Sequence, residues 1–153
     1  MKTILTAVDF SSATRGVLSV ALDLARTTGG RVVLFHAVQH PVITTDYGLT
    51  AEMLQETIAA NQAAARRQIT HLEKFIGDKG VPVSSRLVSG FAAGNILEHA
   101  RKLHASYIVL GSHGHTAFYD LLVGSTTNAV LKKASCPVVV VPPERKKPAR
   151  KKP

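Results

Sequence analysis

Five short apolar runs rich in β-branched residues alternate with four segments of helical length, and this alternation constrains the fold more than any other property of the chain. The runs are TILTAV at 3–8, RVVLFHAV at 31–38, a weaker stretch at 81–89, SYIVL at 106–110 and VVVV at 138–141. Strands that alternate with helices predict a parallel sheet covered on both faces. The second run is almost continuously apolar, as a strand buried on both sides should be. Right-handed crossovers then make the sheet doubly wound. The pattern alone leaves the strand order open; if the chain starts in the middle, winds one way and then reverses, the order is 3-2-1-4-5. Ligands bind in the crevice where that order reverses, outside the carboxyl ends of the strands. Its walls would be Asp9, Phe10 and Ser11 after the first strand and Gly111 onward after the fourth.

The boundaries are set by local chemistry. A helix is expected at 11–28, with Ser11 or Ser12 as N-cap and Val17, Leu18, Ala21, Leu22, Leu24 and Ala25 on its apolar face. Gly29-Gly30 stops it. Residues 39–48, with Pro41 and Gly48, form a loop, and a long helix rich in Ala, Gln, Glu and Arg is expected at 50–77. Pro82 places the third strand at an edge. Further helices are expected at 93–103 and 125–133, the last ended by Cys136-Pro137.

The length of 153 residues fits one domain with a substantial core, and 45% hydrophobic with 19% charged residues is ordinary for a globular protein. The N-terminus has no signal-peptide pattern and no apolar run approaches a membrane span. One cysteine, Cys136, excludes an internal disulfide and points to a reducing, cytoplasmic compartment. The net charge of +9 invites an acidic partner. However, the tail at 144–153 sets six basic residues against Glu144, so it carries +5 of that total. The expected organisation is a domain at 1–143 and a disordered basic tail. The tail lacks the interleaved aromatics that stack on bases, so a solvated appendage is the default over a nucleic-acid site.

The chemistry-bearing stretch is GSHGHTAFYDLLVGSTT at 111–127. Gly111 and Gly114 leave the fourth strand, and Gly124 opens the last helix, followed by Ser125, Thr126 and Thr127. Glycines let a backbone turn sharply against a ligand, and the free N–H groups of a helix's first turn attract anions. The spacing Gly-x2-Gly-x9-Gly-Ser therefore suits a phosphate chain held between strand exit and helix start. Taken singly, each glycine could simply make a turn; the constellation at the switch point favours phosphate.

This segment resembles the nucleotide-binding signature of the universal stress protein family. The similarity runs from TILTAVDFS to CPVVVVP and includes Gly90 followed by Ile96 and Ala100. One departure is Ala92, where the family often has proline. The resemblance implies strand order 3-2-1-4-5 and a homodimer paired through the last strand. It implies an ATP or AMP site in which Gly111, Gly114, Gly124, Ser125 and Thr126 hold ribose and phosphates while Asp9 and Val38 contact adenine and ribose. Mg²⁺ would be carried by the phosphates, since the chain has no ligand cluster of its own.

The implied function is a regulatory or stress-response protein with weak or no ATP hydrolysis and an unidentified regulatory protein partner. No catalytic residue is assigned. Asp9 suits hydrogen bonding better than base catalysis. His113 and His115 could touch phosphate, but loop histidines usually face water; His36 reads as structural. A pyrophosphate-gripping enzyme of related architecture would need glycines after the first strand, where this chain has DFSSAT. A nucleotide-independent interaction module acting through its dimer surface is the alternative.

Overall fold

The computed structural model describes residues 1–39, 50–113 and 123–143. The strands are β1 (Thr3–Ala7), β2 (Arg31–Val38), β3 (Val83–Ser89), β4 (Tyr107–Gly111) and β5 (Val138–Val141); the helices are α1 (Thr14–Thr28), α2 (Ala51–Gly77), α3 (Ala92–Lys102) and α4 (Ser125–Lys133). The five strands form one sheet in the order β3-β2-β1-β4-β5, as expected. Every pairing is parallel, with Thr3 opposite Arg31, Ile4 opposite Tyr107, Val32 opposite Val83 and Ile108 opposite Val138.

Side chains alternate across a strand, so each strand feeds two cores. Ile4, Val32, Leu34 and Val109 pack with Val17, Leu18, Ala21 and Leu22 of α1 and with Ile69 and Ile76 of α2. Leu5, Val33, Phe35, Ile108 and Leu110 face the other way, against Ile96 and Ala100 of α3 and Val130 of α4. Burying an aliphatic or phenyl side chain of this size contributes about 1.5–3 kcal/mol. This double covering explains the lack of simple polar-apolar alternation in β2.

Two boundaries differ from expectation by more than one residue. Helix α1 begins three residues later than the pattern suggested, and neither Ser11 nor Ser12 caps it. Its N-cap is Ala13, with no side-chain cap hydrogen bond. Ser11 serves a preceding turn instead: its N–H donates to Asp9 Oδ1 at 3.0 Å, and its hydroxyl accepts from the Ala13 N–H at 3.3 Å. Strand β3 begins at Val83 rather than residue 81. Pro82 has no N–H to pair, although its carbonyl accepts from the Val32 N–H at 2.9 Å. β3 does lie at the edge.

Two further signals act as read, while Pro41 and Gly48 of the expected loop lie outside the described residues. Thr50 caps α2, its side chain accepting from the Met53 N–H at 3.2 Å. Gly29 ends α1 in the left-handed region at φ 60°, and the Gly30 N–H donates to Ala25 O at 2.8 Å. The basic tail at 144–153 lies outside the described residues. No helix among the described residues is long and apolar enough to cross a membrane.

Candidate functional site

The reversal of strand order lies between β1 and β4, and a cavity of about 690 Å³ opens at the carboxyl ends of these strands. This size falls within the range of small-molecule sites, ~300–1,000 Å³. Asp9 and Val38 line one side; Gly111, Gly124, Ser125 and Thr126 line the other. Six of the seven residues expected from the sequence thus meet in one cavity. The seventh, Gly114, lies outside the described residues, as does His115.

The glycine end is built by short backbone contacts. Ser112, buried at the end of β4, donates its N–H to Val141 O at 2.8 Å and accepts the Gly124 N–H at 2.7 Å. This bond ties the start of α4 back to the exit of β4. Space for a side chain is tight here. A Cβ on Gly124 would sit 3.3 Å from Ser112 O, and one on Gly111 would sit 3.3 Å from His113 O and 3.4 Å from the Ala13 Cβ. Gly124 is the N-cap of α4 and has no side chain to offer its first turn, which also lacks an acidic residue. The helix dipole there is left to act on whatever enters the cavity.

The three hydroxyl residues after Gly124 divide their work. Thr127 is buried and donates to Gly111 O at 2.8 Å, a second staple between α4 and β4. Ser125 is exposed and Thr126 half-buried, and both line the cavity. Thr127→Val keeps the shape but leaves a carbonyl without its partner. It is expected to cost about 1 kcal/mol, a fall in melting temperature of roughly 2–4 °C. Ser125→Ala should leave the melting temperature unchanged; thermal denaturation of the two variants checks the contrast.

The opposite wall contains residues the sequence reading did not assign. Asn61, Ala64, Ala65 and Gln68 of α2 line the cavity. Their spacing of i, i+3, i+4 and i+7 is one helical face, but its small and amide side chains give a weak apolar signal. His36 was read as structural, yet it also lines the cavity. Its position two residues before Val38 places both on the same face of β2. Its Nδ1 lies 2.8 Å from Val8 O, a carbonyl that can only accept, so the proton sits on Nδ1. His113 lines the glycine end, with Nδ1 3.0 Å from the Ser112 hydroxyl.

Among the described residues no group of three or more His, Cys, Asp or Glu side chains is placed to hold a metal ion. Cys136 is half-buried beside the second core, where burial raises its thiol pKa. That environment makes a poor nucleophile.

A profile of the universal stress protein family matches residues 1–142. Universal stress protein A homolog 1 of Coxiella burnetii is 28% identical over 143 residues, covering 92% of this chain and 95% of its own. Among solved structures, hypothetical protein MJ0577 of Methanocaldococcus jannaschii superimposes with a TM-score of 0.81 at 26% identity, over 95% of this chain and 98% of that one. A universal stress protein of Archaeoglobus fulgidus, solved in complex with dAMP, shares the fold with a TM-score of 0.63 at 24% identity, over 92% and 97% of the two chains. Profile, relatives and sheet order agree over nearly the whole length, and the chain belongs to the universal stress protein family.

Proposed function

We propose that this chain binds an adenine nucleotide, ATP or AMP, and acts as a dimeric regulatory or stress-response protein with weak or no hydrolysis. The observation that carries the reading is the convergence of Asp9 and Val38 with Gly111, Gly124, Ser125 and Thr126 on one cavity at the switch point. The phosphates would lie at the glycine end, against the uncapped start of α4. The base and ribose would lie toward Val38 and Asp9. Mg²⁺ would arrive with the phosphates. The dAMP-bound relative holds an adenine nucleotide on the same fold.

Dimerisation would use β5, which is last in the sheet order and so presents an edge that can pair with a second copy. A reducing, cytoplasmic location rests on the single cysteine.

Thermal unfolding with and without Mg-ATP tests the binding claim. At a hundredfold excess over the dissociation constant, linkage supplies about 2.7 kcal/mol, a rise of roughly 5–10 °C. Without a shift, mass spectrometry of the supernatant from denatured protein decides. Released nucleotide would mean that the site was already filled. An empty supernatant would leave the nucleotide-independent interaction module.

A further inference from the structure

We propose that Phe10 is a specificity-determining residue of this cavity, supplying the aromatic wall on which a purine base stacks. The proposal rests on the nucleotide reading above and concerns the wall of the cavity that follows β1.

The starting observation is backbone conformation. Among the described residues, Phe10 at φ 60° and His104 at φ 47° are the non-glycine residues in the left-handed region. His104 follows the C-cap of α3, where helices commonly end in that conformation. Phe10 has no such reason: it follows a strand, and a bulky residue there is a true outlier. Such conformations persist only where the surroundings over-determine them, and they cluster at ligand sites.

The surroundings do over-determine it. Val8 donates its N–H to Phe35 O at 2.9 Å and its carbonyl accepts from His36 Nδ1 at 2.8 Å, so the residue two before Phe10 is clamped to β2 on both sides. Just after Phe10, the Ser11 N–H is held by Asp9 Oδ1 at 3.0 Å. The turn has no slack to relax the phenylalanine.

The strained turn sets the ring beside the cavity. Its centroid lies 4.3 Å from that of His36, with the planes tilted by 40°. Phe10 and His36 line the same cavity as Val38, whereas Ser125 and Thr126 line the phosphate end. Phe10 is half-buried, and it also borders a second hollow of about 360 Å³ together with Thr14 and Gln68. Phe10, Thr14 and Gln68 thus border both spaces. The residue packs against the α1–α2 core as well as lining the cavity, and the strained backbone holds it between the two. Aromatic rings bind bases through their π-faces, and a bicyclic purine offers more face than a pyrimidine.

The test is titration of the full chain with ATP and with UTP, which share ribose and triphosphate and differ in the base. The unmodified protein should prefer ATP. Phe10→Gly adopts the turn without strain and removes the ring; ATP binding should weaken about tenfold or more while UTP changes much less. Phe10→Leu keeps an apolar side chain in the core and should also collapse the ATP/UTP ratio, so it carries the test if the glycine variant fails to fold. Equal affinity for ATP and UTP in the unmodified protein, a ratio unchanged in both variants, or equal losses for both nucleotides would overturn the assignment alone. Failure of the unmodified protein to bind either nucleotide would remove the nucleotide reading and the assignment with it.

Discussion

Gly124→Val is expected to abolish the rise in melting temperature that the proposed nucleotide site predicts for the unmodified protein with Mg-ATP, while leaving a folded domain. The substitution is conformationally permitted, since the backbone there has φ −66° and ψ 162°. What it violates is space: the new Cβ meets Ser112 O at 3.3 Å, and its branches must enter the cavity or push α4 away from β4. Valine is also a poorer N-cap than glycine, which adds about 1 kcal/mol of destabilisation. Each variant must therefore be compared with its own ligand-free baseline. A shift of roughly 5–10 °C in the parent against none in the variant would place nucleotide at the α4 start. Equal shifts in both would exclude that end of the cavity as the phosphate site.

Gly30→Val should produce the opposite pattern, a large loss of stability with ligand response intact. Here the reason for glycine is contact with backbone. A Cβ would lie 2.8 Å from Lys2 O, 2.8 Å from the Ile4 Cδ1 and 3.0 Å from the Thr28 hydroxyl. The Lys2 carbonyl already accepts the Arg31 N–H at 2.8 Å, the first rung between β1 and β2. Relief of the clash has to move a strand. Overpacking of this kind costs about 3 kcal/mol, a fall of roughly 6–12 °C. Its neighbour Gly29 has nothing within 4 Å of a Cβ, but sits at φ 60°. Gly29→Ala should cost only ~1–2 kcal/mol, for conformational reasons. Chemical or thermal denaturation of the pair separates the two causes, and equal effects would refute the steric account of Gly30.

Those two glycines also show what could be read in advance. Gly29-Gly30 was legible as a stop, because helix termination is a local property of residue type. That one glycine is needed for its φ and the other for a gap between β1 and α1 is tertiary information. The alternation of apolar runs made a parallel sheet legible and Pro82 an edge for β3, but the strand order came from the family resemblance, because pairing between distant strands leaves no local mark. That Gly111, Gly124, Ser125 and Thr126 would line one cavity was legible because they fall in a single chemically distinctive stretch. The wall from α2 was not: Asn61, Ala64, Ala65 and Gln68 belong to an Ala- and Gln-rich helix in which no residue announces a ligand. Ser11 was misread because a hydroxyl can serve a turn as readily as a helix cap, and only the fold decides between them. Phe10 was legible as a crevice wall from its place after the first strand, but its strain was not, since that is a torsion angle and not a residue type.

The seam between β1 and β4 has a kinetic consequence. Ile4 pairs with Tyr107, roughly a hundred residues away along the chain, and pairings of such long range are slow to form. The strands on one side, β3, β2 and β1, precede those on the other, β4 and β5, so the cavity walls come from two halves that meet late. A ligand touching both walls has no binding site until the seam has closed. It should therefore leave the refolding rate nearly unchanged and slow unfolding, so that occupancy lengthens the lifetime of the native state without hastening its arrival.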